Sequence, residues 1–587
     1  MTRAAVPTRV AAILAASAAA LHPLAAQQRG DPPRTADLVL RNGTVYTLDP
    51  ARPSAEAVAV QGDRIVAVGA EADVRPWIGP TTRVIDLAGR TAIPGFIESH
   101  GHFLSLGRAR TILDLTRARS WEEIVAMVAE AARAARPGEW ILGRGWHQEK
   151  WTSTPQPNVD GVPYHHELSR ASPRNPVLLT HASGHAAFAN ALALERAGIT
   201  RTTPDPPGGQ IVRDPRTGEP TGLLRETAQG LVARVQARDA ARRPAAEREA
   251  EARRHAELAA HEALSKGITT FHDAGSGFET IDLFRRLADE GKLPLRLYVM
   301  VRAPYAELEA KLPAYRMIGY GGNRLTVRAI KVTADGALGS HGAWLLEPYT
   351  DLPSSTGLPT TPPEEIRRVA ELAIRHGFQL NVHAIGDRAN REVLDVFEAT
   401  FRAHPDRRDL RWRIEHAQHL DPADIPRFAR LGVIASMQGI HATSDGPWVV
   451  RRLGETRARN GAYVWRRLLD SGAVVANGTD APVEDVDPIA SFYATVSRRM
   501  ANGESFYREH AMSREEALRS YTLAGAYAAF EEELKGSITP GKLADIVVLS
   551  RNILTIPEEE IPQTRVEYTI VGGKVVYERG RGVVSDG

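Results

Sequence analysis

From about residue 91 to residue 530 the chain alternates helical patterns with short apolar runs, and this alternation restricts the fold more than any other feature. In PEEIRRVAELAIRH the apolar residues recur at helical spacing, Gly377 closes the pattern, and the apolar FQLNVHAIG follows. A long Ala/Glu/Arg stretch around 244–266 likewise meets Gly267 and then ITTFHDAG. Ser120 with Glu123, Thr361 with Glu364 and Ser513 with Glu516 fit capping boxes at helix starts. Helix–strand units repeated over this length favour a parallel α/β architecture. If the sheet closes into a barrel, its strand C-termini converge on one face, where catalytic groups collect.

The two ends of the chain read differently. Residues 36–90 contain ADLVLRNGTVYTL, AEAVAVQGDRIVAVG and TRVIDLAG, alternating apolar and polar residues with Asn-Gly and Gly-Asp turns. LADIVVLS and VEYTIVGGKVVYERG repeat that style within 531–587, so one small sheet domain built from both ends is expected. Residues 144–225, rich in Pro, Gly and His, read as an insertion over the barrel face. At the N-terminus, Arg3 and Arg9 precede an apolar stretch from Val10 to Leu21 and small residues to Ala26. Residues 1–26 are therefore read as a signal peptide, too short to span a bilayer, with export to a bacterial periplasm or beyond expected.

Composition removes several alternatives. The 73 basic and 71 acidic residues nearly cancel, so no global field argues for nucleic acid or, once the signal is removed, a membrane partner. The chain has no cysteine, which excludes disulfides, thiolate ligands and a cysteine nucleophile. Any metal must rest on histidine, carboxylate or a modified side chain. Self-association into a homo-oligomer stays open.

The chemistry-bearing residues stand at or just past apolar runs. In IPGFIESHGH, His100 and His102 are two apart, so an extended strand points both to one side. Lys331 sits in RAIKV, His383 ends LNVH, His416 ends RIEH, and Asp480 ends VVANGTD. Each has a bland reading alone. His383 or His416 would more often be a core histidine, Asp480 could cap a turn, and Lys331 could pair with Asp335. That all of these hold at the ends of separate strands is much less probable.

The motifs PGFIESHGHF, IKVTADGALGSHGAWLLEPY, NVHAIGD, RIEHAQ and NGTDAPV, in this order, resemble the amidohydrolase superfamily. The similarity is to its YtcJ-like branch (amidohydrolase family 3), which includes N-substituted formamide deformylases. It covers nearly the whole mature chain, through GSITPGKLADIVVL. The resemblance implies a (β/α)8 TIM-type barrel with a small β-sandwich and one or two divalent ions, zinc by default. His100, His102 and Asp480 would serve one ion and His383 and His416 a second. Lys331 matches a lysine carboxylated by CO2 to bridge two metals. It implies hydrolysis of an amide-type C–N bond (N-acyl, N-formyl or cyclic amide) of a small molecule. A metal-bound hydroxide would attack, with Asp480 as general acid–base. Esters and lactones stay open.

Trp146, in GRGWHQEKW, and His185, in ASGHAAFAN, recur in this branch and are candidates for the substrate pocket, as is His341. Packing explains Trp146 equally well, and the same ambiguity holds for Trp151 and Trp344. His272 and Asp273 are candidates for orienting a ligand. Glu415, next to His416, is expected to point the other way along its strand. Gly439 stands where relatives often carry proline. Two further readings remain: a mononuclear deaminase of an amino-heterocycle, which would not need the lysine, and a non-catalytic barrel binding protein.

Overall fold

The computed structural model describes residues 35–584, so the expected signal peptide at 1–26 lies outside the described residues. Eight parallel strands form the central sheet: β1 (Phe96–Gly101), β2 (Ile268–Ser276), β3 (Arg296–Val301), β4 (Leu325–Thr333), β5 (Gln379–Ala384), β6 (Arg413–His416), β7 (Ile434–Gln438) and β8 (Val475–Gly478). Each pairs with the next in chain order, in parallel. The sheet curls until β8 returns beside β1. There the Asp480 N–H donates to the His100 carbonyl at 2.8 Å, and the Thr479 N–H donates to the Glu98 carboxylate at 2.7 Å. The expected (β/α)8 barrel is the fold.

Local sequence explains the barrel's units. The helix Pro363–His376 begins with proline at its first turn beside Glu364 and Glu365, and it ends on Gly377 at φ 67°. Only glycine takes that left-handed turn without strain. Ile366, Val369, Ala370, Ala373 and Ile374 form its buried face, against the sheet that continues into β5. The capping boxes turned out unequal. Ser513 and Glu516 exchange both hydrogen bonds. Ser120 accepts from the Glu123 N–H, but the Glu123 carboxylate accepts from Arg119 instead. Thr361 makes no cap, because Pro362 and Pro363 delay the helix start beyond its reach.

Strands from both chain ends form a sandwich at the barrel base. One sheet holds Leu38–Arg41, Ala57–Gln61, Arg64–Gly69 and Arg83–Asp86; the other pairs Thr91–Pro94 with Ile546–Leu549. Leu38, Leu40, Val58 and Ile65 pack against Val45, Ile546, Val548 and Ile570 between the sheets. Thr91–Pro94 then runs directly into β1, so sandwich and barrel are mechanically continuous.

The insertion starts earlier than residue 144. Its sheet runs from Leu113–Asp114 through Ile141–Trp146, Val177–His181, Ala186–Ala189 and Pro220–Glu226 to Gly209–Arg213. The helix Trp121–Ala134 packs Trp121, Ile124 and Val128 into that module's own core. A helix followed by a parallel strand carries the same sequence pattern inside the module as in the barrel, which is why the earlier boundary is not visible from pattern alone.

Candidate metal centre

The C-terminal ends of the barrel strands bring all six expected side chains to one mouth. His100 lies near the end of β1 with 1% of its side chain exposed, whereas His102, just past that end, is 30% exposed. Asp480 follows β8, and its Oδ1 lies 3.7 Å from His100 Nε2 and 3.2 Å from His102 Nε2. Lys331 rises from β4 to place Nζ 3.4 Å from His100 Nε2. The His416 ring stands 4.5 Å from the His100 ring and 4.5 Å from the His383 ring. Lys331 does not pair with Asp335. That carboxylate accepts the N–H groups of Trp344, Ile385 and Gly386 and lies 3.4 Å from His383 Nε2.

The rings are aimed by their other nitrogens. His100 Nδ1 is hydrogen-bonded to the Glu415 carboxylate, and His416 Nδ1 to Gln438 Oε1 at 2.7 Å. Both rings thereby turn Nε2 toward the mouth, the arrangement that orients imidazoles on a metal. Glu415 points inward, contrary to the alternation expected beside His416. The reason is local: His416 has φ 77° and Ala417 φ 44°, so the strand leaves extended geometry there and adjacent side chains share a side.

Burial keeps these imidazoles neutral. It drives His100 down to about 4, with the Lys331 charge adding to the effect, and holds His383 and His416 well below the usual range. Burial likewise brings Lys331 down to about 8 against the opposing pull of Glu415 and Asp480. Neutral imidazole is the form that donates a lone pair.

The donor set fits a divalent cation. His100, His416 and Asp480 offer ligand atoms that all lie within 4.8 Å of one another. Asp480 Oδ1, His383 Nε2 and Glu415 Oε1 are buried without a hydrogen-bond partner. Buried carboxylate oxygens left in this state are costly unless something positive completes them.

Residues 83–577 match the model of the amidohydrolase family. The chain belongs to the amidohydrolase family. It is 32% identical to the putative amidohydrolase YtcJ of Bacillus subtilis (strain 168) over 92% of this chain and 99% of that one. It is 30% identical to the N-substituted formamide deformylase of Arthrobacter pascens, over 92% of this chain and 98% of that one. Among solved structures, an uncharacterized metal-dependent hydrolase from Pyrococcus horikoshii OT3 superposes with a TM-score of 0.70 at 28% identity, covering 89% of this chain and 99% of that one.

Other residues of this amidohydrolase divide into those at the mouth and those away from it. His185 reaches in from the inserted module; its ring is 4.9 Å from that of His383, and its Nδ1 is bonded to buried Glu226 at 2.7 Å. Trp146 does not line the cavity: its indole N–H donates to the Leu179 carbonyl inside the module's core. Its side chain is spent on packing beneath His181, with ring centroids 4.6 Å apart. His341 is also absent from the lining. It turns to Asp351 at 3.2 Å and packs on Tyr349. His272 sits deeper in the barrel against Arg413. Asp273 accepts from the Phe103 N–H and from Ser276, and so fixes the backbone just past His102.

Sequence reasoning overlooked Glu98, Gln438, His441 and Trp448. Glu98 accepts from the Thr479 N–H, the Thr479 hydroxyl and the His100 N–H, tying β8 to β1 beneath Asp480. Its signal was present, since it lies two residues before His100 on the same strand face. Gly478 allows this clasp, because a Cβ there would stand 2.1 Å from Glu98 Oε1. Gly439 has a comparable reason: a Cβ would meet the Thr495 hydroxyl at 2.0 Å.

Proposed function

We propose that this chain is a divalent-metal-dependent hydrolase cleaving an amide-type C–N bond of a small molecule. The observation that carries the reading is the gathering of His100, His102, Lys331, His383, His416 and Asp480 around one cavity. His100, His102 and Asp480 are assigned to one ion and His383 and His416 to a second, zinc being the default for such donors. Lys331 would also hold the metal: its neutral amine, adding CO2 and releasing a proton, would become an anionic carbamate with two oxygens to offer. A bare ammonium in that position has no lone pair to offer. When bound, a cation there supplies Lewis acidity, acidifying water and polarising a carbonyl.

The chain's own groups do the rest. Asp480 accepts a proton from the attacking water and returns it to the leaving nitrogen as the C–N bond breaks, yielding an acid and an amine. Glu98 and Thr479 hold the backbone that aims Asp480. Glu415 and Gln438 hold the ring directions of His100 and His416. The deformylase relative carries the choice of amide over deamination, and buried Lys331 at the centre supports it. Export, with residues 1–26 removed, completes the proposal.

The test is a screen of metal-replete enzyme against N-formyl, N-acyl and cyclic amide panels, with chelated enzyme as control. Metal-dependent release of amine is the expected result. Release of ammonia from amino-heterocycles, with no amide cleaved, would replace this reading with the deaminase one.

A further inference from the structure

The cavity at the barrel mouth, about 60 Å³, runs from His383, His416 and Asp480 into a lobe under the helix His441–Leu453. His441, Asp445 and Trp448 are spaced i, i+4 and i+7 on that helix, so one face presents all three to the lobe. His441 is 5% exposed. Its Nδ1 accepts from Gln418 Nε2 at 2.9 Å, which leaves the proton on Nε2, and that nitrogen is buried without a partner. A buried N–H facing a cavity calls for an acceptor on whatever fills it.

Asp445 supplies the opposite need. Its Oδ2 is taken by the Tyr463 hydroxyl at 2.5 Å, while Oδ1 has only a 3.5 Å approach from Ser444. Glu484 lines the same lobe. Burial pushes the Asp445 carboxyl up to about 6, against His441 and Tyr463, and Glu484 adds to that push. The lining cation Lys150 pulls the Asp445 carboxyl the other way, but it is exposed to water and its pull is outweighed by burial. Trp448, 7% exposed, gives the lobe an aromatic wall beside the His147 ring at 5.9 Å.

We infer that this lobe selects amide substrates whose far end is a planar apolar group bearing an amine, the ring resting on Trp448 and the ammonium on Asp445. His441 Nε2–H then meets an acceptor atom between that group and the scissile amide. Anionic far ends are disfavoured, because they would meet two carboxylates. The inference rests on the amide-hydrolase reading above, and its test separates the two.

Three N-benzyl methanesulfonamides, which resist hydrolysis, would be titrated calorimetrically into metal-loaded enzyme; they carry aminomethyl, methyl or carboxylate groups at the para position. The aminomethyl probe is expected to bind about tenfold more tightly than the methyl one, the scale of one charge-assisted hydrogen bond, and the carboxylate most weakly. Asp445→Asn, which can still accept from Tyr463, should bring the aminomethyl-to-methyl ratio to about one, and Glu484→Gln should lower it less. Equal affinities, tighter binding of the carboxylate, no binding by any probe, or a ratio that survives Asp445→Asn would each overturn the inference. The matching formamides report the chemistry separately. Probe preference with no cleavage of these formamides or of the N-acyl and cyclic amide panels would refute the amide reading, and cleavage without preference would refute the lobe.

Discussion

At the base of the barrel, Arg296 and Asp545 are buried together by two hydrogen bonds of 2.7 and 2.9 Å. The Gly572 N–H and the Asn323 carbonyl complete their valences. At the mouth burial is as deep, yet His383 Nε2 and Glu415 Oε1 make no hydrogen bond, and Asp480 Oδ1 has only the half-open His102 ring, 3.2 Å away. Both ends pay for desolvating charge. The base satisfies its charges fully within the chain and the mouth only in part, and so the base reads as structure and the mouth as a ligand site.

Substitutions should separate the two ends. Asp480→Asn removes the proton acceptor and should lower turnover by about 10³-fold, in the range of general acid–base effects, without lowering the melting temperature of the metal-free protein. Steady-state rates on a cleaved amide and thermal unfolding measure the two quantities; an equal loss in both would erase the contrast. At the base, Arg296→Met leaves Asp545 buried without its ion-pair partner, and should cost about 3–5 kcal/mol of stability while the activity of the folded fraction persists. The double variant Arg296→Met with Asp545→Leu should regain most of that loss, because no charge is then left alone. Denaturant unfolding of the three proteins decides this.

A smaller effect comes from acid. Burial alone would raise the Asp545 carboxyl, but Arg296, Lys535 and the Gly572 N–H outweigh it and hold it below its ordinary value. A folded-state pKa below the unfolded one contributes stability that is present above the unfolded value, about 3.9. That stability is lost as pH falls through the folded value. Below about pH 4 the wild type should therefore lose stability more steeply than the double variant. Parallel acid-unfolding curves would show that the pair contributes nothing there.

The same contrast explains what could be read from the letters. The mouth was legible because its ligands stand at or near the ends of apolar runs: His100, His383, His416 and Asp480 close theirs, and Lys331 lies inside one, two residues before its strand ends. The aiming groups were less so. Glu415 was hidden by the positive φ of His416, since strand alternation holds only while the backbone stays extended. Trp146 and His341 share motifs with the site but turn to Leu179 and Asp351, and no sequence pattern reports where a loop side chain points. The Arg296–Asp545 pair joins residues 249 apart, across two domains, and leaves no local trace. The insertion's early start at Leu113 was masked because its helix–strand pattern matches the barrel's own.

Anomalous diffraction from crystals of metal-loaded protein tests the central claim most directly. The account predicts a metal peak at the barrel mouth, about 2.0–2.3 Å from donor atoms of His100, His416 or Asp480, where the coordination distances of such ligands lie. A fully occupied metal elsewhere in the molecule, with none at that mouth, would contradict it.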